Sequence, residues 1–220
     1  MRVPSPTRNQ VDLRNLPCHN FCMNVETRLA TLSELRKASE VLAAAFVDYP
    51  WIRWTVQEDD RLHRVTELQR AALELLGYPY GEVWVSKTGD DIVSVLVMMD
   101  SATFIPPAVE EQSRRAAAKY EGGRHQASLD ADEAIHALRP KFRHVQLATI
   151  GTLPELQGQG LGTRTLTAAL RSPAMAELDT YLETSTPLNV AFYQHFGFDV
   201  IGSKRVAPDG PEVWSMLRTA

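Results

Sequence analysis

Seven consecutive residues, Gln157, Gly158, Gln159, Gly160, Leu161, Gly162 and Thr163, place glycine at every second position just ahead of a stretch with helical character. Glycine inside a helix costs about 1 kcal/mol relative to alanine, and a helix start needs only one small polar cap. Three glycines at this spacing point instead to a ligand that approaches the backbone closely. A helix N-terminus carries unpaired N–H groups and a partial positive charge, so an anion binds there without a lysine. Glycine removes the Cβ atoms that would hold the anion off, and it permits the φ > 0 backbone of an anion-binding nest. The chemistry is that of a pyrophosphate cradle, with a ligand-free glycine turn as the alternative. Two commoner cradles are excluded. No Gly-Lys-Ser/Thr sequence occurs, as a P-loop requires, and the sixth position from Gly158 is Thr163, where a dinucleotide fingerprint requires glycine.

The elements that must position this loop are legible from periodicity. The segment 24–30 reads as a strand, and 31–46 carries Leu32, Leu35, Leu42, Ala45 and Phe46 at helical spacing. Pro50 is expected to stop this helix before "DYPW". A second helix is predicted over about 58–76, with Gly77 as its stop. Residues 81–100 form a hairpin signal around a Thr-Gly-Asp-Asp turn. A polar, Ala-rich region over about 108–138 reads as two helices broken at Gly122-Gly123. Strand 142–152, the glycine loop, a helix over about 160–170, strand 180–185, a helix closing at Gly197, and strands 198–203 and 213–218 complete the order. This is a single mixed α/β domain. Within the last helix, Phe192 and Phe196 are predicted as the core face and Tyr193 as lying off it.

The bulk properties bound the function. The chain has 220 residues, 44 % apolar and 23 % charged, with a net charge of −4. It is long enough for a sizeable core, lacks the basic balance of a nucleic-acid binder, and has no apolar run of the roughly 18 residues a membrane span needs. Two cysteines, Cys18 and Cys22, flank His19 as half of a zinc site at most, so no metal and no disulfide framework are expected, and the compartment is read as a reducing cytoplasm. Residues 1–22 are read as a disordered leader and 23–220 as the domain.

The pattern Gln157-x-x-Gly160-x-Gly162 resembles the acetyl-CoA signature of the GNAT superfamily of N-acetyltransferases, and "YLETSTPLNVAFYQHFGF" is similar to the second half of that superfamily's core. The likeness extends over about 25–216. It is strongest to members that acetylate puromycin, through "LAAAFVDYP", "RVTELQ", "LATIG", "LETS" and "GPEVWSM" taken in order. The resemblance implies the GNAT fold, a mixed, mostly antiparallel sheet splayed to admit the pantetheine arm, with acetyl-CoA as donor. It implies that Ile150, Gly151 and Thr152 hold the pantetheine through the backbone. Gln157, Gly158, Gln159, Gly160, Leu161, Gly162 and Thr163 would then hold the pyrophosphate. Arg164 is either a further phosphate contact or a solvated helix charge.

Acetyl transfer to an amine needs a neutral amine close to the thioester carbon, a donor for the oxyanion, and a proton for the departing thiolate. The resemblance makes Tyr193 that acid. Glu183 fits either a base acting through a water or one half of a buried ion pair. Asn189 is either a helix cap or a cofactor contact. His144 reads as a strand-end histidine, and the oxyanion donor as a backbone N–H near Gly151. Asp48, Tyr49, Trp51 and Trp54 cluster where the superfamily admits the acceptor, or form a tryptophan-rich loop packed on the core. With Met98 of "LVMMDS", these tryptophans depart from the puromycin-acetylating members. The expected activity is acetylation of a small-molecule primary amine, a puromycin-like aminoacyl nucleoside or other antibiotic first, by direct attack through a tetrahedral intermediate. Acetylation of a peptide or protein amine, and a non-catalytic acetyl-CoA-binding module, are the alternatives.

Overall fold

The computed structural model describes residues 24–220, so the expectations for 1–22 and for the Cys18, His19 and Cys22 trio lie outside the described residues. Seven strands form one sheet in the order β1-β2-β3-β4-β5-β7-β6. They are β1 Val25–Leu29, β2 Glu82–Thr88, β3 Asp91–Asp100, β4 Val145–Thr152, β5 Thr180–Thr184, β6 Asp199–Arg205 and β7 Glu212–Arg218. All neighbours are antiparallel except β4 and β5.

The central strand β3 shows why the sheet is covered on both faces. Its run "IVSVLVMM" is buried almost throughout, and successive side chains leave opposite faces. Leu96 and Met98 join a core with Leu147, Leu166, Leu182, Tyr193, Phe198 and Met216. Val95 and Val97 join a second core with Leu35, Leu42, Leu73, Val83 and Val85. Helices α7 (Leu161–Ala169) and α8 (Pro187–Gln194) supply the first face. Helices α1 (Leu35–Phe46) and α3 (Arg61–Ala72) lie on the second. Helices α5 (Pro107–Glu121) and α6 (His125–His136) are separated at Gly122 to Arg124, where the glycine pair was expected to break them.

Helix α1 ends at Phe46, ahead of "DYPW" as expected, but the stretch that follows holds a short helix not foreseen from the sequence, α2 (Pro50–Thr55), with Pro50 in its first turn, where its missing N–H costs nothing. Gly77 does not stop α3. The chain continues through a π-helical turn, Leu73–Gly77, into a last turn, α4 (Tyr78–Tyr80). Gly77 keeps a right-handed helical φ of −61°, and its glycine serves packing instead: a Cβ there would come within 3.2 Å of Val97 Cγ1.

The edge strand β1 is tied to α1 by charge. Arg28 forms a two-pronged ion pair with Glu34, both N–O distances 2.8 Å, and Lys87 adds a second cation at 3.2 Å. Glu34 also closes a capping box with Thr31. The Arg28 guanidinium, foremost, holds the Glu34 carboxyl well below the usual carboxylate range. A depressed folded-state pKa contributes stability that is present above the unfolded value of about 4.5 and lost as pH falls. Glu34→Gln should therefore lower stability by about 1–2 kcal/mol at pH 7. In urea melts the gap to the parent should narrow steadily below about pH 4.5.

Candidate active site

β4 and β5 pair only through Val145↔Thr180 and Gln146↔Tyr181. Beyond that point β4 has β3 on one side and, among the described residues, no strand on the other. On the β3 side the register slips between Val97↔Thr149 and Met98↔Leu147, which leaves Ala148 as an extra residue in β4. Such a bulge bends its strand. The β4 backbone from Leu147 to Thr152 thus faces an opening, and two cavities occupy it.

One cavity, of about 590 Å³, is lined by Ile150, Gly151, Thr152, Gln157, Gly158, Gly160, Leu161, Gly162 and Thr163, with Asn189, Phe192 and Tyr193 opposite. Gly158 and Gly160 take positive φ of 75° and 78°, the left-handed geometry that favours glycine, and a Cβ at either would extend into open space. Gly160 is the N-cap of α7 and brings no capping side chain, so the first N–H groups of that helix have no acceptor among the described residues. Two residues of the expected cradle stand differently. Gln159 lines neither cavity. Gln157 donates from Nε2 to the Thr152 carbonyl at 3.1 Å, closing the loop on its own strand. Arg164 also lies off the cavity, near the Val25 carbonyl at 3.4 Å.

The second cavity, of about 400 Å³, lies on the side of α2 and α3. Phe46, Trp51, Ile52, Leu73, Leu76 and Met99 give it an apolar wall, and Gln69, Gln146, Thr149 and Glu183 supply polar groups. Of the four expected acceptor residues, Tyr49 and Trp51 are here; Asp48 is exposed and Trp54 lines neither cavity. Trp54 instead stacks under the Arg124 guanidinium, 4.3 Å from the ring centroid, and its carbonyl accepts from Arg124 Nε. Met98 is fully buried in the core, and its neighbour Met99 reaches the cavity.

The two cavities share Phe46, Tyr49, Ile150, Asn189 and Tyr193. Tyr193 is not off the core face, as the helical spacing suggested. It is 5 % exposed and packs into the core, with Phe192 and Phe196 only partly buried around it. Its hydroxyl has no hydrogen-bond partner among the described residues, and burial, then the nearby Tyr49, pushes it well above the usual tyrosine range. Asn189 is not the helix cap: Thr186 is, accepting from the Asn189 N–H at 3.2 Å, which leaves the Asn189 side chain on the wall of both cavities. The Thr-Pro pair at 186–187 is a cap signature that the sequence carried. Tyr49 bonds Thr184 Oγ1 at 2.9 Å and accepts from the Ser185 N–H at 2.6 Å, so the α1–α2 segment is fastened to the end of β5.

Glu183 is an ion-paired carboxylate on the cavity wall. Arg139 Nε donates to it at 2.8 Å, and the Tyr181 hydroxyl donates at 2.9 Å. Arg139 also reaches Asp132 of α6. Nothing local in the sequence marks Arg139, 44 residues from its partner. His144 is structural: its ring sits edge-on to Tyr181 at 5.4 Å and its Nδ1 lies 2.8 Å from the Phe142 carbonyl oxygen.

The acetyltransferase (GNAT) family model matches residues 47–198, more than half of the chain. The chain belongs to the GNAT acetyltransferase family. Solved structures agree on the fold. The Corynebacterium glutamicum "histone acetyltransferase HPA2 and related acetyltransferase" superposes with a TM-score of 0.65 at 24 % identity, covering 89 % of this chain and 96 % of that one. An agmatine N-acetyltransferase in its apo form gives 0.56 at 17 %, covering 88 % and 98 %. The Drosophila melanogaster polyamine N-acetyltransferase gives 0.53 at 16 %, covering 90 % and 100 %. This GNAT protein is accordingly an acyl-CoA-dependent N-acetyltransferase. No helix among the described residues is long and apolar enough to cross a membrane.

The glycines of this GNAT loop differ in what they demand. Gly160→Ala forces a left-handed alanine and should cost about 1–2 kcal/mol. Gly162 has ordinary helical φ, and a Cβ would make ordinary contacts with Thr152 Oγ1 at 3.4 Å and Phe192 Cζ at 4.0 Å. Gly162→Ala should therefore leave stability unchanged or raise it by up to about 1 kcal/mol. Parallel chemical denaturation of the two variants checks the contrast.

Proposed function

We propose that the protein transfers the acetyl group of acetyl-CoA to the primary amine of a small molecule, with a puromycin-like aminoacyl nucleoside as the favoured acceptor. The observation that carries this is the meeting of two cavities at Tyr193, one walled by a glycine cradle and the other by aromatic and amide side chains. The agmatine and polyamine N-acetyltransferases that share the fold support a small amine as acceptor.

The residues present fit the donor. The open backbone edge of Ile150, Gly151 and Thr152 offers hydrogen bonds to an extended arm, as an added strand would use them. The uncapped start of α7 with Gly158, Gly160, Gly162 and Thr163 suits a pyrophosphate. Asn189 is assigned a polar contact beside them. Bound acetyl-CoA supplies an activated acyl carbon and a thiolate leaving group.

Each remaining step falls to the chain. The apolar wall around Trp51 and Tyr49 displaces water and holds the amine at the junction. Glu183 is the one carboxylate lining the acceptor cavity among the described residues, and it takes the amine's proton through a water while Arg139 and Tyr181 hold it in place. A backbone N–H near Gly151 donates to the developing oxyanion. Tyr193 keeps its proton at neutral pH because burial disfavours the phenolate, and it delivers that proton to the departing thiolate.

Free thiol release from acetyl-CoA with and without puromycin, with product mass, tests the assignment. Puromycin-dependent release is expected. Tyr193→Phe should lower kcat by about 10²- to 10⁴-fold while calorimetry shows acetyl-CoA binding retained. The direction of the Tyr193 shift sets the pH response as well. The acid form persists beyond the tyrosine reference of about 10, so kcat should show no loss attributable to this group between pH 8 and 10. A release rate independent of every amine, despite tight acetyl-CoA binding, would overturn the proposal.

A further inference from the structure

The acceptor cavity carries little charge. Among the described residues Glu183 is its only carboxylate, and no lysine or arginine lines it. That carboxylate is already engaged: Arg139 donates to both of its oxygens, at 2.8 and 3.4 Å, and Tyr181 donates to one. Asp132, the other acid on this chain of contacts, lies on α6, bonded to Arg139 and 55 % exposed in its side chain.

Besides Asn189, at the junction with the cradle, two amides face the same space. Gln69 comes from α3 and Gln146 from β4, both half-buried, and neither side chain has a hydrogen-bond partner among the described residues. Each amide has two N–H donors and a carbonyl acceptor. Neither amide is sealed from solvent, so an entering molecule that displaces water from them must supply donors and acceptors of its own. An amide pairs well with an ether, a hydroxyl, an amide or a ring nitrogen. Its carbonyl can accept from an ammonium or guanidinium, but it carries no negative charge to offset taking a second cation out of water.

Resting on the assignment of this cavity to the acceptor, we infer that Gln69 and Gln146 are specificity-determining residues. They select a molecule that carries one basic amine on an otherwise uncharged, hydrogen-bonding and apolar body. They reject acceptors with a second cation. The chain thereby differs from the agmatine and polyamine enzymes whose fold it shares.

The test is a panel of four amines: puromycin and phenethylamine, each with one basic amine, and agmatine and spermidine, each with more than one cation. Two readouts are taken on each, kcat/KM by thiol release and affinity for the CoA-loaded protein by calorimetry. The two single-cation amines should exceed the other two by at least about ten-fold in both. Gln69→Glu and Gln146→Glu should each raise kcat/KM for agmatine by about ten-fold or more and lower it for puromycin. Retained CoA affinity certifies that a variant is folded, and the panel on the parent protein decides the matter if one is not. Agmatine or spermidine performing as well as puromycin and phenethylamine would overturn the inference, as would binding of none of the four. Absence of turnover with all four, alongside ranked binding, would instead defeat the acetyl-transfer chemistry and leave the selection rule standing.

Discussion

Parallel pairing between β4 and β5 ends after Gln146↔Tyr181, and both cavities exist because it ends there. Backbone N–H and C=O groups left without strand partners are costly unless something else satisfies them. The molecule solves this locally where it can. The Ser185 N–H at the end of β5 donates to the Tyr49 hydroxyl, which comes from a segment 136 residues earlier. The opposing edge of β4 is left open, and an open strand edge is a site for an extended ligand. The Ala148 bulge adds a local bend to β4 just past its last pair with β5, while its pairing with β3 resumes on both sides.

An interruption in a sheet is useful only if its walls stay fixed, and buried hydroxyls fix them here. Thr165 of α7 donates to the Leu161 carbonyl and sits 2.7 Å from Ser86 of β2, which lies 2.8 Å from Thr27 of β1. On the next strands Thr152 donates to Ser94, and Ser94 donates to the Gly151 carbonyl at 3.2 Å. These serines are fully buried, so the networks stand or fall as satisfied units and hold α7 in register with the sheet. The glycine loop is therefore anchored at both ends, by Gln157 on Thr152 and by Thr165 on Ser86. Its own backbone retains the left-handed geometry at Gly158 and Gly160.

The sequence made the element order legible because strand and helix periods are local. The glycine loop was legible for the same reason: strand, loop and helix are contiguous over 145–169. What escaped was whatever depends on a distant partner. The helix over 50–55 was missed, although Pro50 does mark the end of the one before it, because proline's exclusion from helix interiors is local whereas its fitness for a first turn depends on the chain direction before it. Gly77 was read as a stop because the crowding by Val97 that demands a glycine comes from another strand. Tyr193 was placed off the core because i to i+4 spacing ranks Phe192 with Phe196, and only the packing of Phe198 and Leu182 shows which face turns inward. Trp54 was assigned to the acceptor site although its partner, Arg124, lies 70 residues away.

The same distinction separates the two halves of the site. The cradle is built almost wholly from one continuous stretch, so its geometry depends on local backbone conformation and a few buried hydroxyls. The second cavity takes walls from α1, α2, α3, the π-helical turn, β3, β4, β5, α6 and β7. Its shape is set by long-range packing, including the Tyr49 bond to β5 and the Arg124 clamp on α2. A side-chain change on any one of these elements can alter its size or polarity without touching the glycine loop. The physical division of labour follows: the local half specifies what is common to a reaction class, and the dispersed half specifies which molecule enters. Among the described residues the dispersed half is dominated by apolar and amide groups, with the Glu183 carboxylate already matched by Arg139. The energy of acceptor binding must then come from burying uncharged surface and satisfying amides rather than from neutralising charge.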